Sequence, residues 1–461
     1  MPTSLWRAWL DTAAAHPEAP AAVEADTGET WTCSALSRHA EVLAAGAPDP
    51  FAAGQTVAFC ERNGANWLAM FLALQRLGAI VLPMDTALPP AGRPGAAAAL
   101  GAHWLWEDFP DVWRRLETDV PPARPEEDFC LVKTTSGSTG EPRPLRFTGA
   151  NMLADSRQIA ATMEIGPGDV NLGAIPFGHS YGLGNLVLPL IAQGTAVVCS
   201  TEILPDALAA QIERHHATVL PSVPAVLRAL AESSVDAARL RTLQRVISAG
   251  APLRPAAAAA FRARFGVPIR NFYGSSETGG VCFDRTGEAG TTAAEEGGGI
   301  SVGQPLEGVS VSLDEEGRVT VRGAAVMGTG EHTLADLGTW NARGELVLTG
   351  RATPLANIGG KKVSPAGIER ALRALDGVTD AWVGVQTRPG VVGGGEDFLL
   401  AAVESARPGE ALRRELAERV PAWQLPRRWW VAAGLPRTTR GKLDRRELEA
   451  YFQTGESAGG S

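Results

Sequence analysis

The hydrophobic positions of this chain form short runs that alternate with longer amphipathic stretches between about Trp31 and about Tyr273. Short apolar runs are typical of buried strands, and longer stretches with an apolar face are typical of helices. Strand-like and helix-like segments follow one another at residues 55–60, 66–78, 195–200, 205–216, 217–223, 243–250 and 252–266. This alternation predicts α/β layers built around largely parallel sheets.

The pattern changes after Tyr273. Residues 298–323 and 344–350 alternate apolar and polar positions and are interrupted by glycine, which is typical of antiparallel hairpins. Further along, a helix is predicted to begin at Ser364 and Pro365. The last part of the chain then reads as strand, strand and helix at residues 380–386, 397–404 and 409–420. These segments predict a small α+β unit, followed by a polar, glycine-rich end that we expect to be a disordered tail.

Composition narrows the class of protein. The chain has 461 residues, which is more than one hydrophobic core comfortably serves, so two or more domains are expected. Apolar residues make up 45% and charged residues 20%, with a formal net charge of -9 and no long basic run. A general nucleic-acid binder needs many cations to neutralise phosphates, so this class is disfavoured.

The spacing of the cysteines and the length of the apolar runs indicate the cellular compartment of the protein. The five cysteines lie far apart in the sequence without a C-x-x-C pair, which favours reduced, mostly buried thiols over disulfides or a zinc site. The first twenty residues do not resemble a signal peptide, and no apolar run approaches the roughly 20 residues of a membrane span. We therefore expect a cytoplasmic protein without membrane or nucleic-acid partners.

One stretch, KTTSGSTGEPR at residues 133–143, concentrates hydroxyls, glycines and a basic residue at each end. Glycines let backbone amides approach an anion, hydroxyls add donors, and a cation offsets the charge. A flexible surface linker has a similar composition. The apolar run FCLVK before the loop and a helix-like stretch from about Asn151 favour a phosphate-binding loop instead. A Walker-type loop is disfavoured, because no Gly-Lys-Ser/Thr follows at the required spacing.

TTSGSTGEPR resembles the phosphate loop of the adenylate-forming superfamily, which includes acyl-CoA synthetases, peptide-synthetase adenylation domains and luciferases. Six further segments resemble motifs of that family in the same order along the chain. They are IPFGHSYGL (175–183), VISAGAPL (246–253), NFYGSSETGG (271–280), ADLGTWNARGELVLTGR (335–351), NIGGKKVSP (357–365) and LPRTTRGKLDRREL (435–448). Seven motifs in family order are far more specific than a single glycine-rich loop.

The resemblance implies a fold and a domain division. We expect an α/β protein with a large N-terminal domain of layered αβ sheets plus a small β-barrel-like subdomain. We also expect a smaller, mobile α+β C-terminal domain. The expected boundaries are residues 1–352 for the adenylation domain, which binds ATP and the acyl substrate, and 353–461 for the lid domain with its tail.

The resemblance also assigns roles to individual residues. The loop from Thr135 to Gly140 would wrap the β- and γ-phosphates of ATP, Glu277 would hold Mg2+, and Asp336 would accept the ribose hydroxyls with help from Arg351. Tyr273 and Ser276 would frame the adenine and the α-phosphate. The residues assigned to the nucleotide are Thr135, Ser136, Gly137, Ser138, Thr139, Gly140, Arg143, Gly250, Ala251, Pro252, Asn271, Phe272, Tyr273, Gly274, Ser275, Ser276, Asp336, Arg351 and Lys362.

Lys442, Glu277 and His179 are the candidate catalytic residues. When a carboxylate attacks the α-phosphate, two anions meet, and a compact ammonium such as that of Lys442 offsets their repulsion. A solvated lysine in a basic tail is the alternative for Lys442, and a surface acid is the alternative for Glu277. His179 would line the acyl pocket, although a purely structural histidine also fits its apolar flanks.

The chain departs from the family pattern in three places. Arg143 stands where the phosphate loop usually ends in lysine, so the charge is kept on a bulkier, bidentate group. The hinge between the domains has Thr353 and Pro354 instead of an acidic residue, and proline would stiffen it. ADLG at residues 335–338 replaces the commoner GDLG, which is a small change.

The expected reaction has two halves. A carboxylate and ATP give acyl-AMP and pyrophosphate, and the thiol of coenzyme A or of a carrier-protein phosphopantetheine then displaces AMP. Amino-acid-activating relatives carry an aspartate after the phenylalanine of the histidine segment, where this chain has Gly178. An α-ammonium would therefore remain unpaired, which favours an aryl or aliphatic acid, with a role in secondary metabolism as a weaker inference.

Other functions stay open at this stage. They are a stand-alone amino-acid adenylation enzyme, an oxidative relative such as a luciferase, and a non-catalytic relative that only binds nucleotide or a partner. The expected partners are the carboxylic acid and coenzyme A or an acyl carrier protein, and a homodimer is an alternative to a monomer.

Overall fold

The computed structural model describes residues 1–107, 112–136, 142–253, 255–288, 299–351, 355–389, 395–437 and 443–454. The chain divides into two compact units. The larger contains Met1–Asp85, Ala97–Thr134 and Pro144–Ala352, and the smaller contains Thr86–Ala96, Thr135–Arg143 and Thr353–Ser461. The functional division into an adenylation domain, residues 1–352, and a lid domain, residues 353–461, stays a prediction.

The strands, in chain order, are β1 Pro20–Glu24, β2 Thr30–Thr32, β3 Thr56–Phe59, β4 Ile80–Pro83, β5 Trp104–Glu107, β6 Val112–Arg115, β7 Phe129–Ser136, β8 Pro142–Thr148, β9 Val170–Gly173, β10 Ala196–Cys199, β11 Val219–Ser222, β12 Arg245–Ser248, β13 Ile269–Ser275, β14 Gly279–Phe283, β15 Ile300–Ser301, β16 Gln304–Pro305, β17 Ser310–Leu313, β18 Arg318–Arg322, β19 Glu331–Trp340, β20 Leu346–Arg351, β21 Ala356–Ile358, β22 Lys361–Val363, β23 Val378–Pro389, β24 Gly395–Ser405 and β25 Arg428–Ala432.

The α-helices are α1 Ser4–Ala15, α2 Cys33–Ala45, α3 Ala65–Leu77, α4 Arg93–Ala99, α5 Gly149–Met163, α6 Ser180–Gly182, α7 Leu188–Gln193, α8 Pro205–His215, α9 Pro224–Glu232, α10 Pro255–Phe265, α11 Pro365–Arg373, α12 Gly409–Ala417 and α13 Arg445–Thr454. A π-helical turn, Leu183–Val187, joins α6 to α7, and short 3-10 turns lie at Pro90–Gly92, Pro125–Glu127, Ala237–Leu240 and Ala422–Gln424. No helix in the described part of the chain combines the length and the apolar character that a membrane crossing requires.

Two sheets form the framework of the large unit. One has the order β16-β14-β13-β12-β11-β9-β10-β1-β2, and its central strands from β1 to β13 pair in parallel. The other has the order β6-β5-β3-β4-β7-β8, with β5, β3, β4 and β7 parallel. The predicted alternation of strand and helix around parallel sheets is therefore confirmed.

The main hydrophobic core of the large unit combines side chains from both sheets with those of α3. Phe59 and Val57 of β3 and Val197 of β10 belong to one buried cluster, together with Trp67 and Phe71 of α3. The rings of Trp67 and Phe71 stack with centroids 5.3 Å apart. Helix α3 is apolar nearly all round because it lies inside this core.

A further sheet of the large unit, in the order β15-β20-β19-β18-β17, is antiparallel throughout. This confirms the hairpins expected after Tyr273. The expected barrel-like closure was wrong for the described residues, because β15 and β17 remain at opposite edges of an open sheet. Strand β15 is only two residues long, so it offers few hydrogen bonds with which to close a barrel.

The small unit has the α+β composition that the sequence predicts. Strands β23, β24 and β25 form one sheet, β21 and β22 form a hairpin, and α11 and α12 pack on a shared core. Pro365 is the first residue of α11, as expected. Ser364 occupies the N-cap position, and its side chain makes no capping hydrogen bond.

Helix α5 begins where the sequence predicts a helix after the phosphate loop. The Thr148 hydroxyl accepts a hydrogen bond from the Asn151 amide at 3.2 Å, and the Asn151 side chain accepts one from the Thr148 amide at 3.2 Å. This capping box satisfies amides that the first turn leaves without partners. It fixes the start of α5 directly after β8.

Candidate active site

Three of the motif segments in the large unit leave one edge of the nine-stranded sheet. Parallel pairing puts the carboxyl ends of β9, β12 and β13 together. The histidine segment follows β9, the segment with Gly250 follows β12, and Glu277 follows β13. The carboxyl edge of a parallel sheet is where open α/β proteins bind ligands.

Glu277 lies at the tip of a tight hairpin between β13 and β14. Ser275 pairs with Gly279, so three residues form the loop, and Gly279 has φ of +70°. A three-residue loop closed by a left-handed glycine is a common hairpin geometry. The Ser275 hydroxyl accepts hydrogen bonds from the amides of Glu277 and Thr278, both at 3.2 Å. The serine thus orders the turn that presents Glu277.

Tyr273 and Asp336 form a buried hydrogen bond. The phenol hydroxyl donates to Asp336 Oδ2 at 2.9 Å, and the two residues are 7% and 6% exposed. Asp336 also faces Arg351 in the register of β19 and β20. The structure therefore brings together the residues predicted to hold the ribose and the base. The sequence motif did not reveal that the tyrosine hydroxyl orients the aspartate.

Three further residues of this motif, Asn271, Phe272 and Ser276, contact other segments of the large unit. The buried Asn271 side chain donates to the Ser301 carbonyl oxygen at 2.9 Å, and Phe272 packs on Tyr181 with ring centroids 5.9 Å apart. Both contacts hold the fold, and a direct role of either residue in nucleotide binding stays a prediction. The Ser180 hydroxyl donates to Ser276 Oγ at 3.0 Å, which ties the Glu277 turn to the histidine segment.

Gly250, in the segment predicted to line the adenine, follows the end of β12 and has φ of +83°. A left-handed backbone of this kind favours glycine, because a side chain would clash with its own carbonyl. Ala251 and Pro252 continue the turn before α10. The nucleotide contacts of these three residues stay predictions.

His179 stands at the start of α6, immediately before Ser180. Its Nε2 atom lies 3.6 Å from Asp85 Oδ2, and its side chain is 41% exposed. The carboxylate was not predicted, since Asp85 lies far away in the sequence and outside every motif. The two side chains form a polar pair, which lies next to Gly178.

Asn63 organises the backbone that leads to His179, and the sequence gave no signal for this role. Its side-chain amide donates to the carbonyl oxygens of Gly173 and Ile175, both at 2.8 Å, and its Oδ1 accepts from the Phe177 amide at 2.9 Å. These hydrogen bonds fix the loop after β9 from outside that loop.

The predicted phosphate loop is described only at its ends. Thr135 and Ser136 complete β7, and Arg143 is exposed near the start of β8. The predictions for Gly137, Ser138, Thr139 and Gly140 lie outside the described residues. The roles of this loop in phosphate binding stay predictions.

In the small unit, Lys442 and the hinge residues Thr353 and Pro354 lie outside the described residues. Lys362 is exposed on β22. Leu443, the residue after Lys442, pairs with Arg437 in an antiparallel bridge. The Asp444 amide donates to the Pro436 carbonyl oxygen at 2.8 Å. These contacts join residues 436–437 to residues 443–444, on either side of the segment that contains Lys442.

Arg437 is anchored by two carboxylates of the small unit. One guanidinium nitrogen lies 3.1 Å from Asp380 Oδ2 and 3.0 Å from Glu404 Oε2. The Leu435 amide, which donates to Glu404, and the Arg437 guanidinium both lower the pKa of the Glu404 carboxyl. The motif predicted Lys442 but gave no indication of this ion-pair network.

Glu277 offers one carboxylate to a possible Mg2+ ion. No group of three or more His, Cys, Asp or Glu side chains suited to a metal ion occurs among the residues that the structure describes. Mg2+ is commonly held by one or two carboxylates together with phosphate oxygens and water. Glu277 fits that pattern, and a metal cage made of protein side chains alone is not seen in the described regions.

Comparison with known proteins gives the family. The sequence profile described as AMP-binding enzyme matches residues 9–106 and 96–331. The match covers more than half of the chain, so the protein belongs to the AMP-binding enzyme family.

Related proteins are similar over nearly the full chain. A sulfoacetate–CoA ligase from Cupriavidus necator is 26% identical over 95% of this chain and 95% of its own length. A feruloyl-CoA synthase from an Amycolatopsis species is 27% identical over 92% of this chain and 94% of its own. The solved structure of o-succinylbenzoate CoA synthetase from Bacillus subtilis has a TM-score of 0.80 at 21% identity, covering 98% of both chains.

These findings confirm two predictions from the sequence. The chain has the fold of the adenylate-forming enzymes, and it is an AMP-forming ligase that activates a carboxylic acid as an acyl-adenylate before thioester formation.

We expect Tyr273→Phe to weaken ATP binding. Without the hydroxyl, the buried Asp336 carboxylate loses an orienting donor, which costs about 1–3 kcal/mol and raises the KM for ATP roughly tenfold. Initial-rate kinetics at saturating acid would measure this effect. Tyr451→Phe is the matched control, because its ring stacks on Trp430 in the small unit and should leave the KM for ATP unchanged. Equal values for wild type and Tyr273→Phe would contradict the assigned role.

Proposed function

We propose that the protein joins a carboxylic acid without an α-amine to the thiol of coenzyme A through an acyl-AMP intermediate, at the expense of ATP. The observation that carries this proposal is the buried Tyr273–Asp336 hydrogen bond beside the Glu277 hairpin, at the carboxyl edge of the sheet. In an AMP-binding protein, Asp336 then provides a carboxylate for a ribose and Glu277 provides a carboxylate for a metal ion.

Asp336 accepts hydrogen bonds from the ribose hydroxyls, because a carboxylate can take two donors at once. The Tyr273 hydroxyl holds that carboxylate in one orientation, and Arg351 assists from the neighbouring strand. Gly250, Ala251 and Pro252 line the adenine. These contacts place the α-phosphate near Ser276.

The loop Thr135–Gly140 supplies amides and hydroxyls to the β- and γ-phosphates, and Arg143 supplies a positive charge. Glu277 holds Mg2+, which when bound neutralises phosphate oxygens during nucleotide binding and transfer. The single carboxylate at the hairpin tip supports this assignment.

Lys442 acts in the first half-reaction. Its ammonium reaches the carboxylate and the α-phosphate as they approach, and it offsets the negative charge that grows on the oxygens between them. The small domain, residues 353–461, turns about the hinge at Thr353 and Pro354 to bring Lys442 to the nucleotide. A second orientation presents the face with Lys362 for the attack of the thiol.

The surroundings of Gly178 support an acid without an α-amine. A Cβ atom at this position would lie 2.9 Å from Pro83 Cβ, so even an alanine would force the two segments apart. An aspartate that pairs with an α-ammonium therefore does not fit there. The substrates named for the two relatives, sulfoacetate and ferulate, also lack an α-amine. Aryl and aliphatic acids both satisfy this condition.

Coenzyme A is the favoured acceptor because both relatives are named for it. A carrier-protein phosphopantetheine presents the same terminal thiol and is the alternative. We further propose a cytoplasmic location, since all five cysteines are free thiols and ATP is available there. Association into a homodimer is a separate expectation that light scattering measures directly.

The test of the proposed function is acid-dependent exchange of labelled pyrophosphate into ATP across a panel of carboxylic acids. The panel contains aryl acids, short and long aliphatic acids, and α-amino acids. We expect exchange with at least one acid that lacks an α-amine and none with its α-amino counterpart. Adding coenzyme A or a holo carrier protein to the best acid then identifies the acceptor. Absence of exchange with every acid would overturn the proposal, and a preference for amino acids would overturn the substrate class.

Lys442→Ala should separate the two half-reactions. Acyl-AMP formation should fall about 10²–10³-fold, because one stabiliser of developing charge is lost. Thioester formation from supplied acyl-AMP should largely persist. Rapid-quench measurement of each half-reaction checks this, with Arg445→Ala, a nearby exposed cation on α13, as the control. Equal loss in both halves would show that Lys442 has another role.

Glu277→Gln should raise the Mg2+ concentration needed for half-maximal exchange by about tenfold or more, because a neutral amide binds Mg2+ far more weakly than a carboxylate. The measurement is the exchange rate against free Mg2+ at constant ATP. Glu315→Gln, on an exposed turn, is the matched control. A metal dependence like that of the wild type would rule out Glu277 as the ligand.

A further inference from the structure

The loop after β9 in the nine-stranded sheet is held by a residue from the six-stranded sheet. This residue is Asn63, which lies between β3 and α3. Its side-chain amide donates to the carbonyl oxygens of Gly173 and Ile175, both at 2.8 Å, and of Ser200 at 3.1 Å. Its Oδ1 atom accepts a hydrogen bond from the Phe177 amide at 2.9 Å. One side chain therefore joins the ends of β9 and β10 to the backbone that follows β9.

Asparagine suits this position because its planar amide carries two N–H donors and one carbonyl acceptor. Backbone groups beyond the end of a strand lose their ladder partners, and inside a protein they need other hydrogen-bonding groups. Alanine would remove all four hydrogen bonds, and aspartate would turn an oxygen toward three carbonyl oxygens. The chemistry of this one side chain is therefore needed to hold the loop.

The position of Asn63 is itself fixed at the start of α3. Glu24, the last residue of β1 in the nine-stranded sheet, accepts a hydrogen bond from the Ala65 amide at 2.7 Å. Trp67, in the first turn of α3, packs edge to face on Phe177 with ring centroids 5.4 Å apart, and both rings are buried. The Asn63 amide therefore meets the loop from a helix start that is anchored on both sides.

The same sheet also contacts the next residues of the histidine segment, residues 175–183. A Cβ atom on Gly178 would lie 2.9 Å from the Cβ atom of Pro83, the last residue of β4. Asp85 Oδ2 lies 3.6 Å from His179 Nε2. Because β3 and β4 are parallel neighbours, the residues that follow them lie at one edge of their sheet. That edge thus contacts the backbone of the histidine segment and two of its successive residues.

We propose that Asn63 is a positioning residue for the acid-binding side of the active site. By fixing the backbone before Gly178 and His179, it sets where these two residues meet the carboxylic acid. The inference rests on the proposed function for the assignment of His179 to the acyl pocket. The predicted nucleotide residues Tyr273 and Asp336 are joined by their own buried hydrogen bond, so their geometry does not depend on Asn63.

Loss of the Asn63 side chain has a consequence with a definite direction. The loop at residues 173–177 gains freedom, and Gly178 and His179 lose their fixed position. The acid then reacts from a less productive geometry, while the nucleotide is held as before. A residue that only stabilised the fold would reduce the amount of active enzyme without separating the dependence on acid from the dependence on ATP.

The test compares Asn63→Ala with the wild type, both as the complete chain, in two measurements. Without substrates, hydrogen exchange followed by mass spectrometry should be about tenfold faster in peptides covering residues 173–183 and unchanged in those covering β19 and β20. In pyrophosphate exchange with the best acid of the panel, kcat/KM for the acid should fall about tenfold or more, with the KM for ATP within about threefold of the wild type.

Two control variants separate positioning from stability. Asn66→Ala removes an exposed asparagine of α3 whose Oδ1 atom lies 3.4 Å from His39 Nε2, and it should change neither measurement. Asp169→Asn acts just before β9, at the other end of that strand, where Asp169 pairs with Arg245 at 3.2 Å. It should lower the unfolding temperature without lowering kcat/KM for the acid.

If Asn63→Ala does not fold, Asn63→Gln takes its place. This variant keeps the amide but displaces it by one methylene, so changes in the same direction are expected in both measurements. Hydrogen exchange of residues 173–183 like that of the wild type overturns the proposal, and so does an equal loss for acid and for ATP. Hydrogen exchange needs no turnover. If no acid supports pyrophosphate exchange in the wild type, the proposed function fails, and hydrogen exchange alone decides whether Asn63 positions the segment.

Discussion

Hydrogen bonding between the parallel strands β9, β11, β12 and β13 determines where chemistry can occur in the large unit. Because these strands run in one direction, their carboxyl ends and the loops that follow them share an edge of the sheet. Segments separated by about a hundred residues in the sequence become neighbours there. The Tyr273–Asp336 hydrogen bond then joins this edge to the antiparallel sheet that carries the predicted ribose pair.

The interior around this edge is more polar than the apolar core beneath it. Asn63 holds the loop after β9, Ser275 orders the turn with Glu277, and Asp155 accepts from the backbone of β14. Each of these side chains forms hydrogen bonds with backbone groups, so its own polar atoms are satisfied inside the protein. They support the site without being part of any motif that identifies it.

The proposed reaction also requires that positive and negative charges in the protein be balanced. Joining a carboxylate to a phosphate brings anions together, and Arg143, Lys442 and a metal ion are the cations that we propose offset their repulsion. Every added cation is also a potential partner for the carboxylates that the site needs free. In the small unit, Asp380 and Glu404 place two fixed negative charges next to the Arg437 guanidinium. A cation that is already paired with fixed carboxylates is less available to pair with other carboxylates.

The sequence by itself determined the alternation of strands and helices, the start of α5, the family and the residues that carry its motifs. Periodicity and local hydrogen-bonding chemistry encode those features within a few neighbouring residues. It did not determine the open edge of the antiparallel sheet, the absent cap at Ser364, or the contacts of Asn63, Asp85 and Asp155. Those depend on which distant segments meet when the sheets pack, and a hydrogen bond or ion pair across such a distance leaves no periodic trace in the chain.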